Sequence, residues 1–280
     1  YPKAQVSAER IQEILDAEPM SKNPEQGITE TNNEGTLEFE NVTFVYPDGE
    51  EPVIKNVSFS AKKGETIAFI GSTGSGKSTL INLIPRFYDV TEGSIRIDGI
   101  DVRKFNLKAL RKKIGFIRQK NLLFTGTIKS NIKFGKPHAT HDEVENSAKI
   151  AQAYDFITTK EKGFDEPISE GGSNVSGGQK QRLSIARALV RKSEIYIFDD
   201  SFSALDFKTD AILRKALKKE TTDAIVLIVA QRIGSIMDAD KIIVLDEGKV
   251  VGVGKHKELL STCNVYHEIA LSQLTEEELA

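Results

Sequence analysis

Cysteine is almost missing from this sequence: Cys263 is the only one in 280 residues. That excludes an internal disulfide framework and suits a reducing compartment. Long apolar runs are missing too. The longest, Ala224 to Ala230, has the length of a buried strand and falls far short of the roughly 20 residues a membrane-spanning helix needs. There is no basic excess: a net charge of -3 offers no field to attract a polyanion, so no nucleic-acid partner is expected. The local exception is Arg103, Lys104, Lys108, Arg111, Lys112 and Lys113, which reads as a solvated helix face. Internal repeats and low-complexity tracts are absent. The chain begins at Tyr1 with neither a methionine nor a signal-peptide pattern, so it is expected to be a segment of something longer.

What is present is ordinary globular chemistry, 39% hydrophobic and 28% charged, with enough chain for a substantial core. Val6, Ile11, Ile14 and Leu15 form an amphipathic stretch, and a polar segment runs from Met20 to Gly35. Leu37, Phe39, Val42, Phe44 and Tyr46 nearly alternate with polar residues, as in a half-buried strand, and Val53 to Ser60 continues the pattern. Thr66 to Ile70 reads as a short buried strand. After it, Leu80, Leu83, Ile84 and Phe87 predict a helix over Lys77 to Phe87. The unbroken apolar runs Ile195 to Phe198, Ala224 to Val229 and Ile242 to Leu245 fit strands covered on both faces, as in a parallel sheet. Patterns between Gln119 and Leu189 are mostly helical.

The expected fold class is therefore α/β: a mostly parallel core sheet, an antiparallel β layer and an inserted α-helical subdomain at about 119–189. The expected division is a linker over 1–35, a main domain over 36–260 and a helical tail over 261–280, with a solvated helix end at Thr275 to Leu279.

Gly71-Ser72-Thr73-Gly74-Ser75-Gly76-Lys77-Ser78 fits G-x-x-x-x-G-K-[ST] between a strand and a helix. Its glycines let successive N–H groups turn inward around a phosphate, Lys77 adds a full positive charge, and the Ser78 hydroxyl is a ligand for Mg²⁺. A plain glycine-serine turn would not need the strand before and the helix after. Asp199, ending the run Ile195 to Phe198, is the carboxylate expected to hold the magnesium. Mg-ATP at Gly71 to Thr79 is the implied ligand.

At this point the chain resembles the ATP-binding cassette (ABC) family, as a P-loop NTPase of the ABC ATPase type, over nearly all of Leu37 to Leu260. Val175-Ser176-Gly177-Gly178-Gln179 is similar to the family signature, with Val175 where leucine is usual. The resemblance implies that this segment is offered to the γ-phosphate held by another subunit. It further implies that Tyr46 stacks on adenine, with a strand-end core tyrosine as the competing role, and that Gln119 contacts Mg²⁺ and links the site to membrane helices. Ser203 to Asp206 resembles the loop that crosses between two cassettes. Asn121 to Ile128, Asn131-Ile132, Ser7 to Ile11 and Glu170 resemble exporter segments.

Two positions depart from the family pattern. Asp200 stands where a glutamate usually polarises the attacking water, and Gln231 where a histidine usually meets the γ-phosphate. An aspartate is shorter by one methylene, and glutamine cannot become an imidazolium. The resemblance then implies a degenerate site that binds ATP and hydrolyses it slowly. It also implies a second, non-identical cassette whose site Val175 to Gln179 completes, transmembrane domains as the only membrane contact, and a place at the cytoplasmic face of the cell membrane. This is the pattern of heterodimeric multidrug-type exporters. The alternatives are a non-transport ATPase of the same family acting on DNA or ribosomes, and a regulatory nucleotide sensor. His138 and His141 read as solvated loop residues, and His256 as the start of a closing helix.

Overall fold

A computed structural model describes residues 2–16 and 21–274; the helix end expected at 275–279 and the side chain of Ile14 lie outside the described residues. Helix α1 (Pro2–Asp16) comes first, then strands β1 (Thr36–Phe44), β2 (Ile54–Lys62) and β3 (Thr66–Ile70), and helix α2 (Lys77–Leu83). Next come β4 (Glu92–Ile97), the two-residue β5 (Ile100–Asp101), α3 (Leu107–Lys112) and β6 (Ile114–Ile117). A largely helical block holds β7 (Gly126–Thr127), α4 (Ile128–Lys133), α5 (His141–Ile150), α6 (Tyr154–Thr158), β8 (Pro167–Ile168) and α7 (Gly177–Leu189). The last third contains β9 (Ile195–Asp199), α8 (Phe207–Glu220), β10 (Ile225–Val229), β11 (Lys241–Asp246), β12 (Lys249–Gly254), α9 (His256–Thr262) and α10 (Asn264–Leu271).

Six strands form the core sheet in the order β12-β11-β3-β10-β9-β6, parallel throughout except for the edge strand β12. Side chains alternate across a strand, so a strand buried on both faces must be apolar at every position. Strands β3 and β10 show it. Ile67 and Phe69 of β3 join one core cluster while Ala68 and Ile70 join the other, and β10 divides Ile225, Leu227 and Val229 from Val226 and Ile228 in the same way. The first cluster packs the sheet against the antiparallel layer β2-β1-β4-β5 through Leu37, Phe39, Val42 and Phe44. The skip from Phe39 to Val42 is a register shift in β1, with Asn41 in the left-handed region at φ 49°. On the opposite face the second cluster runs into the helical block through Ile128, Ile132, Val144, Ala148 and Leu183.

Four expectations need correction. The helix predicted to Phe87 ends at Leu83, because Pro85 has no N–H to continue the ladder and Arg86 turns left-handed at φ 53°. The cations at 103–113 are not one solvated face. Arg103 pairs with Asp101, Arg111 donates to Pro85 O and Arg86 O, and Lys113, 9% exposed, is held by Glu194 at 2.6 Å. His141 begins α5 and lies 3.5 Å from Glu145, whereas His138 sits in an exposed turn as expected. Finally, β7 and β8 pair antiparallel within the helical block, where no strand was anticipated.

Residues 21–35 lie along the edge of the domain: Ile28 N–H donates to Lys104 O, and Leu107 N–H to Asn23 Oδ1. On α1 the side chains of Val6, Ile11 and Leu15 are exposed. Cys263 is buried and reduced, and His256 opens α9 with its Nδ1 2.7 Å from Tyr266 Oη.

Candidate nucleotide site

In an open parallel sheet, ligands bind beyond the carboxyl ends of the strands. Here four neighbouring strands deliver the candidate residues to that edge. The glycine loop follows β3, Gln231 follows β10, Asp199 ends β9 with Asp200 next after it, and Gln119 follows β6. The loop is shaped by close approach. A Cβ on Gly71 would fall 2.0 Å from Leu245 O, and Gly76, at φ 95°, leaves no room for one beside Val53 and Ile54. Ser72, Thr73 and Gly74 are exposed at the tip, while Ser75 is buried beneath them.

Lys77 folds back over the loop, and its ammonium donates to Gly71 O (2.8 Å), Ser72 O (2.7 Å) and Ser75 Oγ (3.1 Å). Burial pulls its pKa below the ordinary lysine value, against the raising effect of Asp200 and Asp199. The first hydrogen bond of α2 is Leu80 N–H to Gly76 O, so the amides of Lys77, Ser78 and Thr79 have no acceptor inside the helix. A polyanion beside Lys77 fits this donor set. Thr79 is buried and bonds Tyr46 Oη at 2.9 Å. Tyr46 itself is half-buried, edge-on to Phe44 and Tyr88, just beyond β1.

Ser78 Oγ donates to Asp199 Oδ1 at 2.9 Å. Asp199 has its pKa raised by burial, against the lowering effect of that hydrogen bond, Lys77 and Arg118. A hydroxyl and a carboxylate this close are the hard oxygen donors that Mg²⁺ prefers, so Ser78 and Asp199 fit the ion. Gln119 is not hydrogen-bonded to that pair. Its Nε2 donates instead to Asp200 Oδ2 at 3.0 Å.

Asp200 adopts φ 45°, which aspartate tolerates, and its N–H is tied to Val229 O at 2.9 Å. Its Oδ2 also accepts from Gln231 Nε2 at 2.8 Å, so one carboxylate oxygen takes both amides. Burial raises the Asp200 pKa, the Gln119 bond opposes this, and the neighbouring Asp199 charge adds to the rise. Contacts that the sequence reading missed support this arrangement. Ser203 Oγ donates to Asp200 O at 2.9 Å. Arg232 donates to Ser203 O at 3.1 Å, with its guanidinium 5.3 Å from the centre of the Phe207 ring.

The segment at 175–179 stands apart. Ser176 caps α7 in a reciprocal pair with Gln179: Ser176 Oγ accepts from Gln179 N–H and Gln179 Oε1 from Ser176 N–H. Ser176 and Gly177 are exposed, and a Cβ on Gly178 would make ordinary contact with Ala204 O. Asp206 caps α8 through Thr209 N–H and the Thr209 hydroxyl. Among the described residues no hydrogen bond or ion pair joins Ser176, Gly177, Gly178, Gln179 or Asp206 to the glycine loop.

With this geometry in place, comparisons with known proteins are informative. A family model described as ABC transporter matches residues 54–203. An uncharacterized ABC transporter ATP-binding protein of Mycobacterium bovis is 43% identical over 276 residues, covering 97% of this chain and 47% of that protein. A Staphylococcus aureus protein, named for multidrug export as an ATP-binding/permease protein, is 46% identical over 236 residues, covering 84% of this chain and 41% of that one. A solved structure of a bacterial Atm1-family ABC exporter with ATP bound superposes with a TM-score of 0.91 at 32% identity, over 98% of this chain and 48% of that one. The chain thus spans about half the length of the curated relatives it matches. Among the described residues no helix is long and apolar enough to cross a membrane.

Proposed function

The chain belongs to the ABC transporter family, and from that premise we propose that it is the ATP-binding cassette of an exporter, with a slow site of its own and a partner cassette that differs from it. Gly71 to Thr79 grips the triphosphate, and Ser78 and Asp199 hold Mg²⁺. The cassette works from the cytoplasmic face of the cell membrane through transmembrane domains of the same transporter. The exporter names of the Staphylococcus relative and the Atm1-family structure weigh against a non-transport ATPase acting on DNA or ribosomes.

The observation that carries the slow-site reading is the double engagement of Asp200 Oδ2 by Gln119 and Gln231. A general base must reach the proton it takes, within about 3 Å, and loss of one typically lowers the rate by about 10²–10⁴. Asp200 is short, and two amide donors stabilise its ionised form and occupy the lone pairs of one oxygen. Gln231 supplies no titratable proton. Ser176 and Gly177 stand exposed at the start of a 13-residue helix, as a segment serving another cassette's site would.

Turnover of Mg-ATP by the purified chain, alone and mixed with a cassette carrying Glu and His at the corresponding positions, tests the proposal. Slow turnover alone is expected, rising at least tenfold in the mixture and falling back when Ser176→Arg is introduced here. Fast turnover by the chain alone, unchanged by Asp200→Ala, would contradict it.

A further inference from the structure

Gln273, far from the glycine loop in sequence, reaches the main chain beside Gln231. Its Nε2 donates to Gln231 O at 2.8 Å, and its Oε1 accepts from Ile233 N–H at 2.9 Å. A planar amide that meets the carbonyl before a residue and the N–H after it reproduces the pairing of a parallel β ladder, with Arg232 as the bracketed residue. The anchor is firm. Gln273 lies one residue past the Ser272 cap of α10, which is fixed in the core by Tyr266 and Ala270, both fully buried, and Gln273 N–H bonds back to Ala270 O at 3.0 Å.

The bracketed segment needs such an anchor. Between β10 and β11 the chain forms only a short 3-10 turn over Ile233–Ser235, and residues 231–232 belong to no helix or strand. Yet each of these two residues carries a contact into the Asp200 region. Gln231 Nε2 sits on Asp200 Oδ2, and the Arg232 guanidinium sits on Ser203 O, whose own hydroxyl returns to Asp200 O. Three hydrogen bonds and the Gln231–Arg232 peptide link close a ring, Asp200 to Gln231 to Arg232 to Ser203 and back, and Gln273 grips the main chain on either side of Arg232, at Gln231 and Ile233.

We propose that Gln273 is a positioning residue for the nucleotide site, holding the 231–233 main chain so that the Gln231 amide stays on Asp200 and Arg232 stays on the 203–205 loop. The inference rests on the reading of Asp200 and Gln231 given above. It ties a residue just beyond the C-terminal helix α10 to the main chain beside Gln231.

The test joins amide hydrogen exchange to steady-state kinetics on the full chain. In Gln273→Ala, and in Gln273→Met, which keeps the length but neither hydrogen bond, exchange at Ile233 N–H accelerates at least tenfold. Turnover of Mg-ATP at saturation rises at least fivefold while KM stays within twofold, because Asp200 is released from the Gln231 amide. Gln273→Glu keeps an acceptor for Ile233 N–H but has no donor for Gln231 O at neutral pH, so it protects Ile233 and shifts turnover only part of the way. Unchanged Ile233 exchange in Gln273→Met, or turnover equal to or below that of the unaltered chain, overturns the proposal, as does a matched rise in KM and turnover. If the unaltered chain takes up no Mg-ATP, the nucleotide site and this role fall together. Uptake with Ile233 unmoved removes the role of Gln273 alone.

Discussion

At the scale of single residues, the Asp200 carboxylate carries a pH-dependent contribution to stability. Its pKa is raised in the fold, mainly by burial, so the folded chain holds the proton more tightly than the unfolded chain does. The contribution to stability is therefore largest below the ordinary value of 3.8 and is lost as pH rises through the raised native value; at neutral pH the ionised group opposes folding. Asp200→Asn, which keeps an acceptor for the two amides and tolerates the positive φ, should melt above the unaltered chain at pH 7, with the gap closing toward pH 4. A thermal melt series that showed no gap at pH 7 would count against the assigned burial. The shared oxygen also couples two positions. Asp200→Glu and Gln231→His together should raise turnover by more than the product of their separate effects, because each single change leaves one partner aimed at a group that has moved. The Asp200, Gln231 and Gln119 positions were each legible from resemblance. Their convergence on one oxygen was not, because it depends on β6, β9 and β10 lying side by side.

At the scale of elements, what burial on two faces dictates could be read from the sequence, and what one long-range partner dictates could not. Strands β3, β9, β10 and β11 were visible as unbroken apolar runs because both faces are covered. Lys113 looked like a surface charge, yet it is buried against Glu194, a partner 81 residues away. The true end of α2 was written in Pro85, but the apolar spacing of Ile84 and Phe87 continued past it. Gln273 and Arg232 left no pattern at all, since side-chain bonds to main-chain atoms impose no residue type on the other partner. Helix α7 offers a prediction at this scale. Ser176→Ala removes the hydroxyl that accepts from Gln179 N–H and should lower stability by about 0.5–2 kcal/mol in denaturant titrations, whatever the segment does for a partner. A change below that range would mean the cap is already dispensable.

At the scale of the whole molecule, the sheet gathers the glycine loop, the Ser78–Asp199 pair and the engaged Asp200 carboxylate on one edge, while among the described residues no hydrogen bond or ion pair joins the 175–179 segment or Asp206 to that loop. A chain built this way should retain nucleotide better than it cleaves it. Binding only to the folded state at about 100 times Kd should stabilise the chain by about 2.7 kcal/mol, and Lys77→Ala, which removes a charged donor worth about 1.5–3 kcal/mol, should weaken uptake by about tenfold to a hundredfold. The most direct measurement is the identity of the nucleotide that stays with the purified chain after incubation with Mg-ATP and rapid removal of the excess. The account predicts intact ATP on the unaltered chain and little nucleotide on Lys77→Ala. Bound ADP in place of ATP within the first seconds, or equal retention by both chains, would contradict it.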